Sequence, residues 1–176
     1  PTWSNWESSL MQTYLVKTPF EEPYMIDILH HRVTKRPRLH EIERPIPLPE
    51  LEVHRFHTPS KDGTKVPYVI VKQKGIRPKA QFIYVYGAYG DSTPVSWPYQ
   101  SWYPLLTRGW AIVYAMVRGG GDVDSAWAAA ARRENRRVSV DDFEAVIHAS
   151  QSKLRLGPAQ TVIYGRSAGG VPIGAI

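Results

Sequence analysis

One serine of this sequence lies in a pattern that suits nucleophilic catalysis. Residues 161–170 read TVIYGRSAGG, a β-prone run followed by the pattern G-x-S-x-G. A serine at a sharp strand-to-helix turn has a strained backbone, and side chains two residues before and after it would collide, so Gly165 and Gly169 suit those positions. The pattern predicts that the Ser167 hydroxyl projects above a sheet, where it could be acylated. The alternative is an ordinary capping serine in a tight turn between a strand and a helix.

Acyl transfer to a serine also requires hydrogen-bond donors for the oxyanion that develops on the carbonyl group. The backbone N–H of Ala168, directly after the serine, is one candidate. The second donor should come from the end of an earlier strand. Residues 83–90 (IYVYGAYG) end such a strand with the phenol of Tyr86, followed by glycines. From these residues alone, Tyr86 is equally well interpreted as a half-buried aromatic residue at a strand end.

Hydrophobic periodicity predicts the elements that would hold these residues. Alternating apolar and polar residues indicate a hairpin, continuous apolar runs indicate strands covered on both faces, and longer amphipathic stretches indicate helices. In chain order, the predicted elements are hairpin strands at 52–58 and 66–73, strands at 81–86 and 110–117, helices near 125–135 and 140–156, and a strand at 161–164. Buried strands that alternate with helices predict an α/β fold with a mainly parallel sheet and right-handed crossovers.

The second predicted helix, 140–156, has an apolar stripe and an acidic start. Two aspartates, Asp141 and Asp142, are expected in its first turn, where the helix dipole favours acids. The stripe consists of Val140, Phe143, Ile147 and Leu154. A basic cluster precedes this helix and is expected to form a solvated helical face. Its members are Arg132, Arg133, Arg136 and Arg137.

Length and composition indicate a globular chain. The 176 residues are 43% apolar, which is enough for one hydrophobic core. The absence of cysteine excludes disulfides, thiolate metal sites and thiol catalysis. The longest apolar run, residues 110–117, is too short to span a bilayer, and the first residues contain no signal-peptide pattern. We expect a soluble, intracellular, cytoplasmic protein without membrane contacts; an organellar location is compatible with the same composition.

Four short segments occur together in one order: YGAYG at 86–90, RGGGD at 118–122, DDF at 141–143 and GRSAGG at 165–170. In order and spacing they resemble the prolyl oligopeptidase family of serine peptidases, and within it the oligopeptidase B branch, over about residues 50–176. The resemblance implies an α/β-hydrolase-type sheet, here incomplete. Residues 9–29, predicted to hold one or two short strands, resemble the end of that family's β-propeller.

This resemblance, together with the prolines and the lack of periodicity in residues 30–50, predicts three parts of the chain. Residues 1–29 would be a β segment like the last propeller blade, residues 30–50 a proline-rich connector with extended character, and residues 51–176 the N-terminal half of the peptidase domain.

The resemblance also implies roles for individual residues. Ser167 would be the acylated nucleophile, and the Tyr86 hydroxyl and the Ala168 N–H would form the oxyanion site. Residues 119–121 would shape a loop beside the cleft, with Trp127 on the helix that follows. It implies short peptides as substrates and no cofactor or metal.

Several nearby residues are expected to have no catalytic role. Arg118 and Asp122 are better interpreted as a structural ion pair or turn cap. Two departures from the family pattern, Val85 in place of glycine and the arginine-rich segment before Asp141, are not expected to touch the nucleophile.

The partners that a catalytic serine requires are absent from the expected place. In this fold the acid and the histidine of the triad follow the serine along the chain. The nine residues after Ser167 contain neither, and all six histidines precede it. Without a general base the hydroxyl stays protonated and weakly nucleophilic. We therefore expect an incomplete catalytic domain that is inactive alone, with the strand at 161–164 covered by the rest of the domain or by another subunit.

Two other functions stay open at this point. The first is a catalytically inactive, peptidase-like remnant that acts as a structural subunit of a larger assembly, such as a ribonucleoprotein. The net charge of +6 allows RNA binding without indicating it, because neither half of the chain carries a concentrated basic tail. The second is an esterase or lipase that shares only the serine turn, which the RGGG and DDF motifs disfavour.

Overall fold

A computed structural model describes the chain over residues 49–93 and 102–176 and, for the backbone alone, residues 12–15, 24–27 and 32–35. The chain divides into two compact units. The three short backbone segments belong to the first unit, and residues 49–93 and 102–176 belong to the second. Across these ranges, no helix has both the length and the apolar character that crossing a bilayer would require.

The first unit contains a small antiparallel sheet. Its strands are β1 (Gln12–Leu15), β2 (Tyr24–Asp27) and β3 (Arg32–Lys35), with β2 in the centre. The expectation of one or two short strands within residues 9–29 is therefore confirmed, with two strands, β1 and β2. The third lies inside the predicted connector at 30–50 and was not foreseen, because four residues are too few for an alternating pattern to stand out. The boundaries of the three predicted parts stay a prediction.

The second unit is built on a five-stranded sheet with the order β4-β5-β7-β6-β8. Its strands are β4 (Leu51–Pro59), β5 (Lys65–Gln73), β6 (Ala80–Val85), β7 (Trp110–Ala115) and β8 (Thr161–Gly165). The predicted hairpin β4-β5 joins β7 by antiparallel pairing, whereas β7, β6 and β8 run parallel. The α/β class is confirmed, but the described sheet is mixed: the hairpin supplies its antiparallel half.

The helices depart from the prediction before residue 137 and agree with it afterwards. They are α1 (Tyr103–Thr107), which was not predicted, α2 (Ser125–Ala129), α3 (Arg137–Leu154) and α4 (Gly170–Gly174). The single helix predicted at 125–135 was wrong. The segment contains α2 and then a separate 3₁₀ turn, Arg133–Arg136. Arg133 has a left-handed backbone, with φ of 51°, which a continuing helix does not permit.

Helix α3 covers one face of the sheet with its apolar stripe. Val140, Phe143, Ile147 and Leu154 are all buried, as predicted. Phe143, Ile147 and Leu154 pack against Ile83, Val113 and other inward residues of β5, β6 and β7. Because α3 begins at Arg137, Asp141 and Asp142 lie in its second turn and not in the first. The opposite face of the sheet carries an aromatic layer composed of Phe82, Tyr84, Trp102, Tyr114 and Tyr164.

Strand β8 lies at the edge of this sheet. Among the described strands it pairs with β6 alone, and the side chains of Val162 and Tyr164 are 43% and 39% exposed. The expectation of an unpaired, apolar edge at 161–164 is thus confirmed for the part of the chain that the structure describes. Its inner side is joined to β6 through the Gln81 amide, which donates a hydrogen bond to the Thr161 hydroxyl at 3.1 Å.

A buried ion pair fixes the loop after β7 to helix α3. Arg118 Nε and Nη2 donate to the two carboxylate oxygens of Asp142 at 2.9 and 2.6 Å, and the Arg118 backbone N–H donates to Asp142 as well. Asp142 is fully buried. Arg118 also binds Asp62 in the β4-β5 turn, so one guanidinium connects three separate segments.

The charges of this network reinforce one another. Hydrogen bonding to Asp142 raises the pKa of Arg118 above its ordinary value, and hydrogen bonding from Arg118 lowers the pKa of Asp62. Arg118 is therefore the structural ion-pair partner that the sequence indicated, while Asp142 is held by this pair and not by a helix dipole.

We predict that Asp142→Ala destabilises the protein far more than the neighbouring Asp141→Ala. Removing Asp142 leaves a buried guanidinium without its main partner, which costs about 3–5 kcal/mol. Asp141 forms a more exposed pair with Arg137 one turn away, and such pairs contribute less than about 1 kcal/mol. Urea denaturation of both variants would measure the difference; equal, small losses would contradict the role assigned to Asp142.

Candidate active site

The turn after β8 has the strained geometry that the sequence predicts. Strand β8 ends at Gly165, and Ser167 begins a 3₁₀ turn, Ser167–Gly169, that leads into α4. Ser167 has φ of 53°, a left-handed conformation that costs a non-glycine residue about 1–2 kcal/mol. Its side chain is exposed. The sharp strand-to-helix turn is therefore confirmed, and the serine is accessible on it.

The two glycines that flank Ser167 are required by close backbone contacts. A Cβ atom on Gly165 would collide with the carbonyl oxygen of Gly169, and a Cβ on Gly169 would lie 2.5 Å from the Val85 carbonyl oxygen and 3.1 Å from Tyr86 Cα. Real Cβ atoms essentially never approach another heavy atom within 3.0 Å, so the two contacts with carbonyl oxygens exclude a side chain at either position. The collisions expected from the sequence are confirmed, and they show that the serine turn packs directly on the end of β6.

Tyr86, Ser167 and Ala168 all lie just beyond the carboxyl ends of the parallel strands β6 and β8. Strands β6 and β8 are parallel neighbours, with Val85 opposite Gly165, so Tyr86 follows β6 at the level where the serine turn follows β8. Tyr86 is half-buried. In the serine turn, the Gly169 N–H donates a hydrogen bond to the Arg166 carbonyl. The N–H of Ala168 lies one residue before this donor. The three residues are thus brought together; their catalytic roles stay a prediction.

The triple glycine at 119–121 packs backbone against backbone on the segment after β6. A Cβ on Gly119 would collide with the Gly87 carbonyl oxygen, and a Cβ on Gly121 with that of Gly90. The Gly90 N–H donates to the Gly119 carbonyl at 3.0 Å. Asp122 then accepts hydrogen bonds from the Thr93 N–H and hydroxyl at 2.6 and 3.0 Å, which is the turn-cap role expected for it. These contacts fix the backbone that carries Tyr86.

Arg136 is the site residue that the sequence analysis missed. Its Nη1 donates to the Gly87 carbonyl, and its Nη2 donates to the Ala168 carbonyl at 3.2 Å. One guanidinium therefore joins the residue after Tyr86 to the residue after Ser167. The expectation of a solvated face was wrong for Arg136, which is half-buried and contacts the residue after Ser167, whereas Arg132, Arg133 and Arg137 are exposed as predicted.

A signal for Arg136 was present in the helical period. Position 136 is four residues before Val140, so it extends the buried stripe of α3 by one turn. Burial lowers the pKa of Arg136, and its proximity to Tyr89 and Tyr86 opposes that shift. An arginine stays charged in proteins, so this side chain places a positive charge next to the carboxyl ends of β6 and β8.

A cleft lies beside the serine turn, where Arg136 contacts it. It has a volume of about 570 Å³ and is lined by Ala88 and Tyr89 from the segment after β6, by Ala168 and by the arginines before α3. The histidines in the described ranges, His54, His57 and His148, are exposed, and His54 binds Glu52. The remaining three histidines lie outside the described residues.

A strained serine between two closely packed glycines, at the carboxyl end of a parallel strand, is characteristic of the α/β-hydrolase fold. The chain aligns over 90% of its length with a solved structure of oligopeptidase B from Trypanosoma brucei, at a TM-score of 0.72 and 29% sequence identity. It covers 22% of that structure. A solved prolyl endopeptidase aligns with 94% of the chain at a TM-score of 0.75 and 27% identity, and 25% of that structure is covered.

Sequence comparison leads to the same group of proteins. Residues 97–176 match the model of the prolyl oligopeptidase family. A prolyl endopeptidase-like protein of Xenopus laevis is 31% identical over 132 residues, which are 70% of this chain and 18% of the relative. Protease 2 of Moraxella lacunata is 33% identical over 120 residues, 66% of this chain and 17% of the relative. The chain belongs to the prolyl oligopeptidase family and spans less than a fifth of the length of these curated relatives.

We predict that Gly169→Ala disrupts the serine turn and that Gly170→Ala does not. The added methyl of Gly169→Ala would strike the Val85 carbonyl and cost about 3 kcal/mol, because backbone atoms cannot yield as a side chain does. No atom lies within 4 Å of a Cβ at Gly170, where alanine should be neutral or slightly stabilising. Thermal unfolding of the two variants measures this contrast, and equal stabilities would refute the contact.

Proposed function

We propose that this chain carries the nucleophile of a serine peptidase of the prolyl oligopeptidase family, which hydrolyses short peptides through an acyl-enzyme on Ser167. The observation that carries the proposal is the exposed serine on its left-handed turn, held by Gly169 against the end of β6 beside Tyr86. A capping serine in an ordinary turn needs neither this strain nor this contact.

The proposed reaction begins with attack of Ser167 Oγ on the carbonyl carbon of a peptide bond. As the C–O bond forms, negative charge develops on the carbonyl oxygen, and the Tyr86 hydroxyl and the Ala168 N–H would donate hydrogen bonds to it. The serine proton passes to a general base and then to the leaving amine, so the C–N bond breaks and leaves an acyl ester. Water cleaves the ester in the second half of the reaction.

We further propose that the base and its acid come from polypeptide outside these 176 residues. Neither an acid nor a histidine follows Ser167 in the sequence, and the fold orders the triad as serine, acid, histidine. The small fraction of each relative that the chain covers supports the same interpretation. The partner segment would also pair with the open side of β8, whether it belongs to the same domain or to another subunit. No cofactor or metal is part of this proposal.

We predict that a fluorophosphonate probe labels Ser167 in the protein that contains this chain together with the rest of its catalytic domain. Activated serines react with such probes because the phosphonyl group imitates an acyl donor. Peptide mapping would locate the label. Ser167→Ala should abolish it, and Ser152→Ala, which removes an exposed hydroxyl on α3, should leave it unchanged.

Two results would contradict the peptidase proposal. One is a folded sample that carries no label; the other is a label that persists in Ser167→Ala. If labelling fails while the chain co-purifies with a stable partner or with RNA, and Ser167→Ala has no effect on that association, the structural-subunit alternative is favoured.

We predict that Tyr86→Phe lowers kcat about 100-fold and changes KM by less than about threefold, because its hydroxyl would act on the transition state and not on the bound substrate. Tyr164→Phe is the matched control: it removes a phenol hydroxyl from β8 and keeps the ring that stacks on Phe82. Steady-state kinetics on a short peptide measures both constants. A rise in KM with kcat unchanged would contradict the oxyanion role.

A further inference from the structure

The cleft beside the serine turn has one sign of charge. Arg132, Arg133 and Arg136 line it together with Tyr89 and Ala168, and none of the described residues that line it is acidic. Glu134 lies within the same 3₁₀ turn as Arg133 but does not line the cleft. The cleft adjoins both loops that would hold the reacting carbonyl, so it is placed to contact another part of the same peptide.

The positive charges of this cleft are not neutralised by carboxylates within the described ranges. Both hydrogen bonds of Arg136 go to backbone carbonyls, and Arg132 and Arg133 are exposed without an ion pair. Elsewhere in the same unit, Arg118 is paired with Asp142 and Arg137 with Asp141. The arginines that face the cleft therefore differ from these paired arginines by lacking an acidic partner.

Backbone strain is concentrated at the same place. Four non-glycine residues of the described chain have a left-handed backbone: Tyr89, Arg133, Arg155 and Ser167. Arg155 only ends helix α3. The other three line the cleft or form the serine turn next to it. Strained residues are concentrated at functional sites, where the strain helps to orient a side chain. The backbone of Arg133 would have a lower conformational energy in a continuing helix than in its left-handed conformation.

We infer that this cleft binds a carboxylate of the peptide substrate through the guanidinium groups of Arg132 and Arg133, with Arg136 adding positive charge at its floor. A guanidinium presents paired N–H donors that match the two oxygens of a carboxylate. The carboxylate belongs either to an acidic side chain or to the C-terminus of a short peptide; both present the same chemistry. This inference rests on the proposed peptidase function, whose substrate class it defines.

Binding of matched peptides to the Ser167→Ala variant of the whole protein tests this inference without turnover. The probes are N-acetylated octapeptides that differ only in Glu or Gln at one position, each made with a C-terminal carboxylate or amide, and titration calorimetry gives their dissociation constants. We expect one carboxylate to tighten binding about fivefold at low salt, and the gain to shrink in 0.5 M NaCl, since exposed charges are screened. The Glu and C-terminal arms identify which carboxylate is bound.

Three variants assign the effect to the arginines. Arg132→Gln with Arg133→Gln should remove the preference, whereas Arg132→Lys with Arg133→Lys should keep part of it, because the charge stays and the paired donors are lost. Arg137→Gln, an exposed arginine outside the cleft, should keep all of it. Circular dichroism would verify that each variant is folded.

Equal affinity for acidic and neutral peptides, no binding of any peptide, or a preference that survives the double Gln variant would overturn the inference. These outcomes are independent of fluorophosphonate labelling. An unlabelled Ser167 would defeat the peptidase proposal, and the binding result would still decide whether the cleft takes a carboxylate.

Discussion

The contact between Gly169 and the end of β6 is the constraint on which the candidate site depends. It leaves no room for a Cβ atom between the serine turn and the Val85 carbonyl, and so it sets the height of Ser167 relative to Tyr86. Gly165 packs just as closely on the Gly169 carbonyl oxygen, so it has no room for a Cβ atom either. The left-handed conformation of Ser167 follows, because the chain must reverse within three residues to pass from β8 into the short turn. The position and the backbone conformation of Ser167 are therefore set by the same contact.

A second layer of contacts keeps the backbone of the site in place. The glycines at 119–121 pack on the segment that carries Tyr86, and the buried pair of Arg118 and Asp142 ties that glycine loop to helix α3. Arg136, just before the same helix, donates hydrogen bonds to the carbonyls of Gly87 and Ala168 and so joins the segment after β6 to the serine turn after β8. The arginine-glycine motif and the aspartate-phenylalanine motif, which are far apart in sequence, are two sides of a single anchoring structure.

Much of this arrangement could be predicted from local chemistry. The strand runs, the hairpin and the stripe of α3 follow from periodicity, and the glycines around Ser167 follow from the steric demands of a tight turn. Arg136 was harder to predict because its partners are backbone carbonyls that tertiary packing brings close. Every residue has such a carbonyl, so the residue types of the partners carry no signal. The break of the helix at Arg133 was missed for a similar reason: arginine favours helices, and the residue type gives no sign of the left-handed backbone observed there. The order of β7 between β5 and β6 also depends on long-range pairing that single segments do not reveal.

The open side of β8 has a consequence for the chemistry of the serine. A strand held by one neighbour opens more readily than a strand held by two, and the serine turn is the direct continuation of that strand. The orientation of the Ser167 hydroxyl can then be no more rigid than the pairing between β6 and β8. A segment that pairs with the side of β8 left open among the described strands would make the Ser167 turn more rigid as it completes the sheet, so the sheet and the orientation of the serine would be fixed in one step.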